Sequence, residues 1–284
     1  VPAATLVPVV LVAVGAGVAA FAGWVAFGVV RFRSYYRHKG EEPPMLPAPA
    51  FVRYVGHEVV AMATLGWWSF TAGKDGLLTP DGPITGPPVL CVHGIYQDGT
   101  NLWGLRKALA RRGRPSRAVS IGRYRSSLAE HVAPLEAALR ELVAASPDGV
   151  VDVVAHSMGG VILRLTLAQH PELACHVRRV VTMGSPHGGT AGARGLPLGA
   201  GVRQLGRRSQ LLANLPPLPE SVSLTTIAGR HDLVVYPATT CHLPGARQID
   251  LPGIGHGALL TRSVAQALVV EMLCEKTQVP AVSF

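Results

Sequence analysis

"VVDVVAHSMGG" (residues 150–160) carries strand-forming residues into a serine and then, at once, into two glycines. The valines at 150, 151, 153 and 154 favour a buried, pleated strand. The stretch that follows, MGGVILRLTLAQH (158–170), reads as a helix. A strand that feeds a helix with so little chain between them must turn very sharply. The turn residue then projects above the sheet on strained backbone. Strand and helix pass so close that small residues are needed two before and two after it, and Ala155 and Gly159 stand at those places. Ser157 would sit at a helix N-terminus, where the dipole and free N–H groups favour negative charge. A plain N-cap serine would leave a similar trace. What separates the two readings is whether the chain holds partners for a reactive hydroxyl.

Outward from this stretch, strand and helix signals alternate from Pro87 onward. PVLCVHG (88–94), RAVSIG (117–122), VRRVVTMGS (177–185), SLTTIAG (223–229) and RQIDL (247–251) read as further strands. Apolar residues at helical spacing mark the connections. Leu102, Leu105 and Leu109 form one stripe; Leu128, Val132, Leu135, Leu139 and Leu142 form a second; Leu260, Val264, Leu268 and Met272 form a third. Repeated alternation predicts an α/β fold: a mostly parallel sheet of about six strands with helices on both faces. In such a sheet reactive groups gather at the carboxyl ends of the strands.

A serine hydroxyl needs a base, and histidine suits the task near neutral pH. His256, in the glycine-rich LPGIGHGALL (251–260), follows the last strand and is the preferred base. His156 adjoins Ser157, so its ring should diverge from the hydroxyl. His93 is expected to order its own loop, and polar structural roles suffice for His187, His231 and His242. The imidazole in turn needs a carboxylate. Asp232, just after a strand in TIAGRHDLVVYP (226–237), is preferred over Asp250 in RQIDLPG; Asp152 lies too early on its strand. The order Ser157, Asp232, His256 is the one expected for this architecture. An oxyanion formed at the serine would be met by the backbone N–H groups of Met158 and Ile95.

At the N-terminus, residues 6–30 carry no charge and are followed by RFRSYYRHK (31–39). About 25 apolar residues are enough to cross a bilayer, and a basic, tyrosine-bearing flank fits an interface anchor. The expectation is a transmembrane anchor over 1–39 and a single-pass location, with the following domain on the cytoplasmic side. A cleaved signal peptide ending near Ala20-Phe21-Ala22 is the alternative. Residues 40–86 read as a Pro-rich linker, a helix over 51–70 ending in Trp67, Trp68 and Phe70, and a loop over 71–86. Residues 87–284 read as the catalytic domain.

Composition narrows the class. A net charge of +9 is compatible with nucleic acid or anionic lipid, yet aromatics are only 6% and no nucleic-acid module signature appears, so no nucleic-acid partner is expected. The four cysteines are widely spaced, with no C-x-x-C, which argues against zinc or a redox pair. No Asp/Asn cluster points to calcium. No metal or organic cofactor is expected.

The pieces VLCVHGIYQDGTNLW, VVAHSMGGVILR, VVTMGSPHGGT, AGRHDLVV and GIGHGALL together resemble bacterial lipases and esterases of the α/β-hydrolase superfamily, over residues 87–275. The resemblance implies Ser157 as nucleophile, Asp232 as acid, His256 as base, and Ile95 and Met158 as oxyanion donors. It implies hydrolysis of lipid or other carboxylic esters through an acyl-enzyme. The same triad would serve an acyltransferase or thioesterase, and a silent binding module is the remaining alternative. Tyr96, Trp103, Leu211 and Leu212 are expected at the substrate, although the two leucines would equally suit packing. Tyr96 departs from the pattern, since many such lipases have glycine there.

Overall fold

Seven strands form one sheet, and the stretch read first is its centre. The computed structural model describes residues 3–73, 76–122, 126–196 and 199–275, with side chains from Ala20 onward. In chain order the elements are α1 (Ala3–His38), α2 (Ala48–Thr71), β1 (Gly76–Leu78), β2 (Val89–Val92), α3 (Trp103–Ala110), β3 (Ser116–Val119), α4 (Val132–Ala145), β4 (Val151–His156) and α5 (Met158–Gln169). They continue with β5 (Val177–Met183), α6 (Ala200–Gln204), α7 (Gln210–Asn214), β6 (Ser223–Gly229), β7 (Arg247–Leu251), α8 (Ala258–Thr261) and α9 (Ser263–Cys274). The strand order is β1-β3-β2-β4-β5-β6-β7. All neighbours from β3 to β7 are parallel, and β1 alone is antiparallel.

Every residue of β2 and β4 is buried, because helices cover both faces of the sheet. The period of two then divides each strand between two cores. Val151, Val153 and Ala155 join Leu135 and Leu139 of α4 and Ile162 of α5. Val154 points the other way and joins Leu105 of α3 and Val269 and Leu273 of α9. Each fully buried Leu or Val contributes about 1.5–3 kcal/mol relative to leaving it exposed. Asp152, fully buried at the amino end of β4, accepts from Arg114 Nη2 at 2.5 Å and from Arg178 Nη2 at 2.6 Å, so its charge is paired where it lies.

Two expectations are corrected. Residues 76–78, read as loop, form the seventh strand: Gly76–Leu78 pairs with Ser116–Ala118, and Arg106 Nη2 donates to Gly76 O at 2.7 Å. Three residues are too few to show alternation, so pairing made this strand and pattern did not. The second correction concerns the membrane. Among the described residues, no helix is long and apolar enough to cross a membrane. The transmembrane helix and the single-pass, cytoplasm-facing location are therefore withdrawn. The side chains of residues 6–19 in that apolar run lie outside the described residues. Further along α1, the supposed interface anchor is instead used within the protein. Phe32 and Tyr36 are buried beside Tyr236, and Arg31 Nη2 donates to Arg194 O at 2.6 Å.

The helix expected over 51–70 is present as α2, starting slightly earlier. Tyr54, Glu58, Ala61 and Leu65 are its buried face. Trp68 packs against the core, while Trp67 and Phe70 are exposed.

Candidate active site

β4 ends at His156 and α5 begins at Met158, so Ser157 alone makes the turn. Its φ of 55° and ψ of −125° are costly for a residue with a side chain. The crowding behind the turn explains the small residues. A Cβ on Gly159 would come within 2.6 Å of the His93 carbonyl oxygen, and one on Gly94 within 2.7 Å of Ser157 Cβ.

The three distant side chains converge. Ser157 Oγ lies 3.0 Å from His256 Nε2. His256 Nδ1 lies 2.6 Å from Asp232 Oδ2. The other carboxylate oxygen of Asp232 accepts the N–H groups of Val234 at 2.7 Å and Val235 at 2.9 Å. Asp232 is 1% exposed, so its charge is shielded from water and its direction is set by three donors. Burial alone would pull the His256 pKa down. The Asp232 charge, the hydrogen bond to it and the Glu58 charge outweigh burial and raise it.

His156 does diverge from Ser157. Its Nδ1 lies 3.0 Å from Gln97 Oε1 and its Nε2 3.2 Å from the His256 carbonyl oxygen. Burial first, then the nearby His256, holds its pKa well below the usual value, which leaves it neutral. The other four histidines weighed in the sequence have local partners. His93 Nδ1 pairs with Gly94 O and its Nε2 accepts the Ile121 N–H. His187 pairs with Thr182, His231 accepts the Gly253 N–H, and His242 lies between Thr226 and Asp250.

A cavity of about 780 Å³ opens over the serine, with Ser157, Met158, His256, Ile95 and Tyr96 in its wall. Met158 is the first residue of α5, where a helix offers its N–H no internal partner. The Ile95 loop is braced on both sides. Gly94 N–H donates to Gln97 Oε1 at 2.8 Å, and Asp98 and Asn101 form a reciprocal cap. Tyr96 adopts a φ of 58°, the left-handed backbone that glycine would take at this position, and leaves its ring half exposed at the cavity.

Three expected substrate contacts are placed elsewhere. Trp103, Leu211 and Leu212 are not in the cavity wall. The Trp103 ring lies under Arg106 and Lys107, and both leucines pack into the core beside α4 and α5. The outer walls come instead from the two N-terminal helices, with Trp24 and Phe27 from α1 and Met62 and Leu65 from α2. Glu58, also in the wall, accepts the N–H groups of Gly257 and Ala258 at 3.1 and 2.9 Å. Sequence reasoning missed it. The available signal was a carboxylate at position 58 within the apolar stripe 54, 61 and 65.

A seven-stranded, mostly parallel sheet with a serine on a strand–helix turn decides the architecture. The chain has the α/β-hydrolase fold. A family model for this fold matches residues 87–199. Among solved structures, the mature form of the Bacillus licheniformis lipase BlEst2 is 18% identical, with a TM-score of 0.59 over 70% of this chain and 98% of that one. Aspergillus fumigatus lipase B is 18% identical, with a TM-score of 0.60 over 70% of this chain and 56% of that one. Est1E from Butyrivibrio proteoclasticus, in a structure with ferulic acid bound, is 16% identical, with a TM-score of 0.52 over 71% of this chain and 95% of that one. No curated protein sequence matches the chain significantly. At these identities the likeness is one of fold. The α/β-hydrolase sheet and its crossovers place the Ser157 turn, the Asp232 loop and the His256 loop at one edge.

Proposed function

We propose that the protein is a serine carboxylic-ester hydrolase of the lipase or esterase type. What carries this reading is the unbroken chain from Ser157 Oγ through His256 to Asp232 in the wall of a 780 Å³ cavity. In the proposed reaction His256 Nε2 takes the hydroxyl proton as Ser157 Oγ bonds to the acyl carbon. The Met158 and Ile95 N–H groups receive the carbonyl oxygen as it gains negative charge. Collapse breaks the ester C–O bond, and His256 returns the proton to the departing alcohol. Water then attacks the acyl-serine with the same base, releasing the acid and restoring the hydroxyl. Asp232 holds the imidazole in the correct tautomer and balances its transient charge.

The side chains around the serine fit an acyl ester with a substantial apolar part: Trp24, Phe27, Met62 and Leu65 supply hydrocarbon surface. The test is a series of p-nitrophenyl esters of increasing acyl length, run with wild type and Ser157→Ala, together with a fluorophosphonate probe. Turnover by wild type alone and labelling at Ser157 are expected. A folded wild type that neither turns over any ester nor takes the probe overturns the proposal.

A further inference from the structure

The loop that presents His256 is held from outside the sheet. Glu58 Oε2 accepts the Gly257 N–H and Oε1 accepts the Ala258 N–H, the two amides directly after the imidazole. Both oxygens of one carboxylate therefore grip the loop, and the carboxylate is 2% exposed. Gly255 makes room for this: a Cβ there would lie 2.7 Å from Glu58 Cδ and 2.8 Å from Tyr54 Cε2. That glycine therefore serves the approach of α2. Burying a carboxylate is costly unless its oxygens are satisfied. An apolar residue like its stripe neighbours Ala61 and Leu65 would leave both of these buried N–H groups unpaired.

We propose that Glu58 is a positioning residue for His256, its carboxylate both clamping the loop that aims the imidazole at Ser157 and adding a second negative charge beside the Asp232–His256 pair. This rests on the hydrolase reading above. The charged and titratable groups around the pair are few. His256 is faced by Asp232 from the loop after β6, by Glu58 from α2, and by neutral His156 from β4; Glu58 is faced by Tyr54 on its own helix, Asp232 and His256. Burial, with the Asp232 charge, raises the Glu58 carboxyl pKa against the opposing pull of the two amide donors and the His256 charge. Both Glu58 oxygens accept N–H groups, which suits the ionised form, so an imidazolium at His256 would meet two carboxylates, of which only Asp232 touches the ring. A misplacement of about 1 Å in a catalytic group can cost about 10²-fold in rate, so loosening one side of the loop should cost less.

Two variants separate the clamp from the charge. Glu58→Gln keeps the size and one acceptor but loses the charge and turns an N–H₂ toward one of the amides. It should lower kcat about tenfold with KM nearly unchanged, and move the acidic limb of kcat/KM to lower pH by about half a unit. Glu58→Asp keeps the charge on a shorter stem. It should lower kcat comparably and leave the limb near its wild-type position. Rates are taken per active site, counted by fluorophosphonate titration, so that misfolded protein does not enter. Wild-type kcat per site in both variants overturns the clamp, and a limb that is unmoved in Glu58→Gln, or moves equally in both, overturns the charge. If wild type itself hydrolyses nothing and takes no probe, the hydrolase reading fails first and this one with it.

Discussion

Among the described residues are two chains of hydroxyl, imidazole and carboxylate, and only one of these two faces a cavity. In the first, Ser157, His256 and Asp232 are joined at 3.0 and 2.6 Å. In the second, Thr226 Oγ1 lies 2.8 Å from His242 Nδ1, and His242 Nε2 lies 2.9 Å from Asp250 Oδ1. As bare distances the two are alike. They differ in what surrounds them. Ser157 occupies a strained turn between a strand and a helix, beside the first-turn N–H of Met158. Thr226 is an interior residue of β6, paired in the sheet with Thr182 and Gln248. Asp232 is sealed from water and held by two backbone N–H groups, whereas the Asp250 side chain is 45% exposed. None of Thr226, His242 and Asp250 lines the 780 Å³ cavity. A relay becomes useful chemistry only where its hydroxyl can meet a substrate and its carboxylate is not screened by solvent.

This comparison can be broken in several ways, and the largest effect should come from the two hydroxyls. Ser157→Ala is expected to leave only about 10³–10⁴-fold catalysis over water; Thr226→Val, read in the same ester assay, should change turnover by less than about twofold. Full activity in the first variant, or loss in the second, would reverse the roles of the two relays. The carboxylates come next. Asp232→Asn should lower kcat by about 10⁴ through the wrong imidazole tautomer, and Asp250→Asn should sit near wild type. A crippled Asp250→Asn beside an active Asp232→Asn would move the acid to β7.

A smaller effect sharpens the first relay by its pH dependence. His256 acts as a base only when neutral, and its pKa is raised above the ordinary value of about 6.5. Activity should therefore fall with decreasing pH through a limb that lies above pH 6.5, as a kcat/KM profile would show. A limb below that value contradicts an imidazole flanked by Asp232 and Glu58. The smallest effect concerns stability. The Asp250 side chain is half exposed, so Asp250→Asn should cost about 0–1 kcal/mol in denaturant unfolding. A larger loss would mean that the second relay braces β6 against β7 more firmly than an exposed ion pair does.

Much of the site was legible because its residues are tied to local backbone events. The Ser157 turn is written in adjacent residues, since a sharp strand–helix junction demands Ala155 and Gly159 wherever it occurs. Asp232 and His256 each follow a strand that the sequence marks, SLTTIAG and RQIDL, and strand ends in a parallel sheet share an edge. The cavity wall was harder. Leu211 and Leu212 lie in a segment whose apolar residues suit a cavity wall and a core equally, and the protein uses them in the core. Trp103 opens α3, yet its ring turns toward Arg106 and Lys107 on the same helix. The N-terminal helices misled for a similar reason. An apolar run flanked by arginines has the composition of a membrane anchor, but Phe32 and Tyr36 are buried against Tyr236 and Arg31 donates to the Arg194 carbonyl.

By itself, then, the sequence determined the alternation of strands and helices, the serine turn, and the order of Ser157, Asp232 and His256 along the chain. Each of these is a matter of short-range pattern and chain direction. Only the tertiary structure decided which carboxylate meets His256, what walls the cavity, and that Glu58 grips the loop. Those outcomes rest on contacts between residues far apart in the chain, and hydropathy at any one position is the same whichever neighbour buries it.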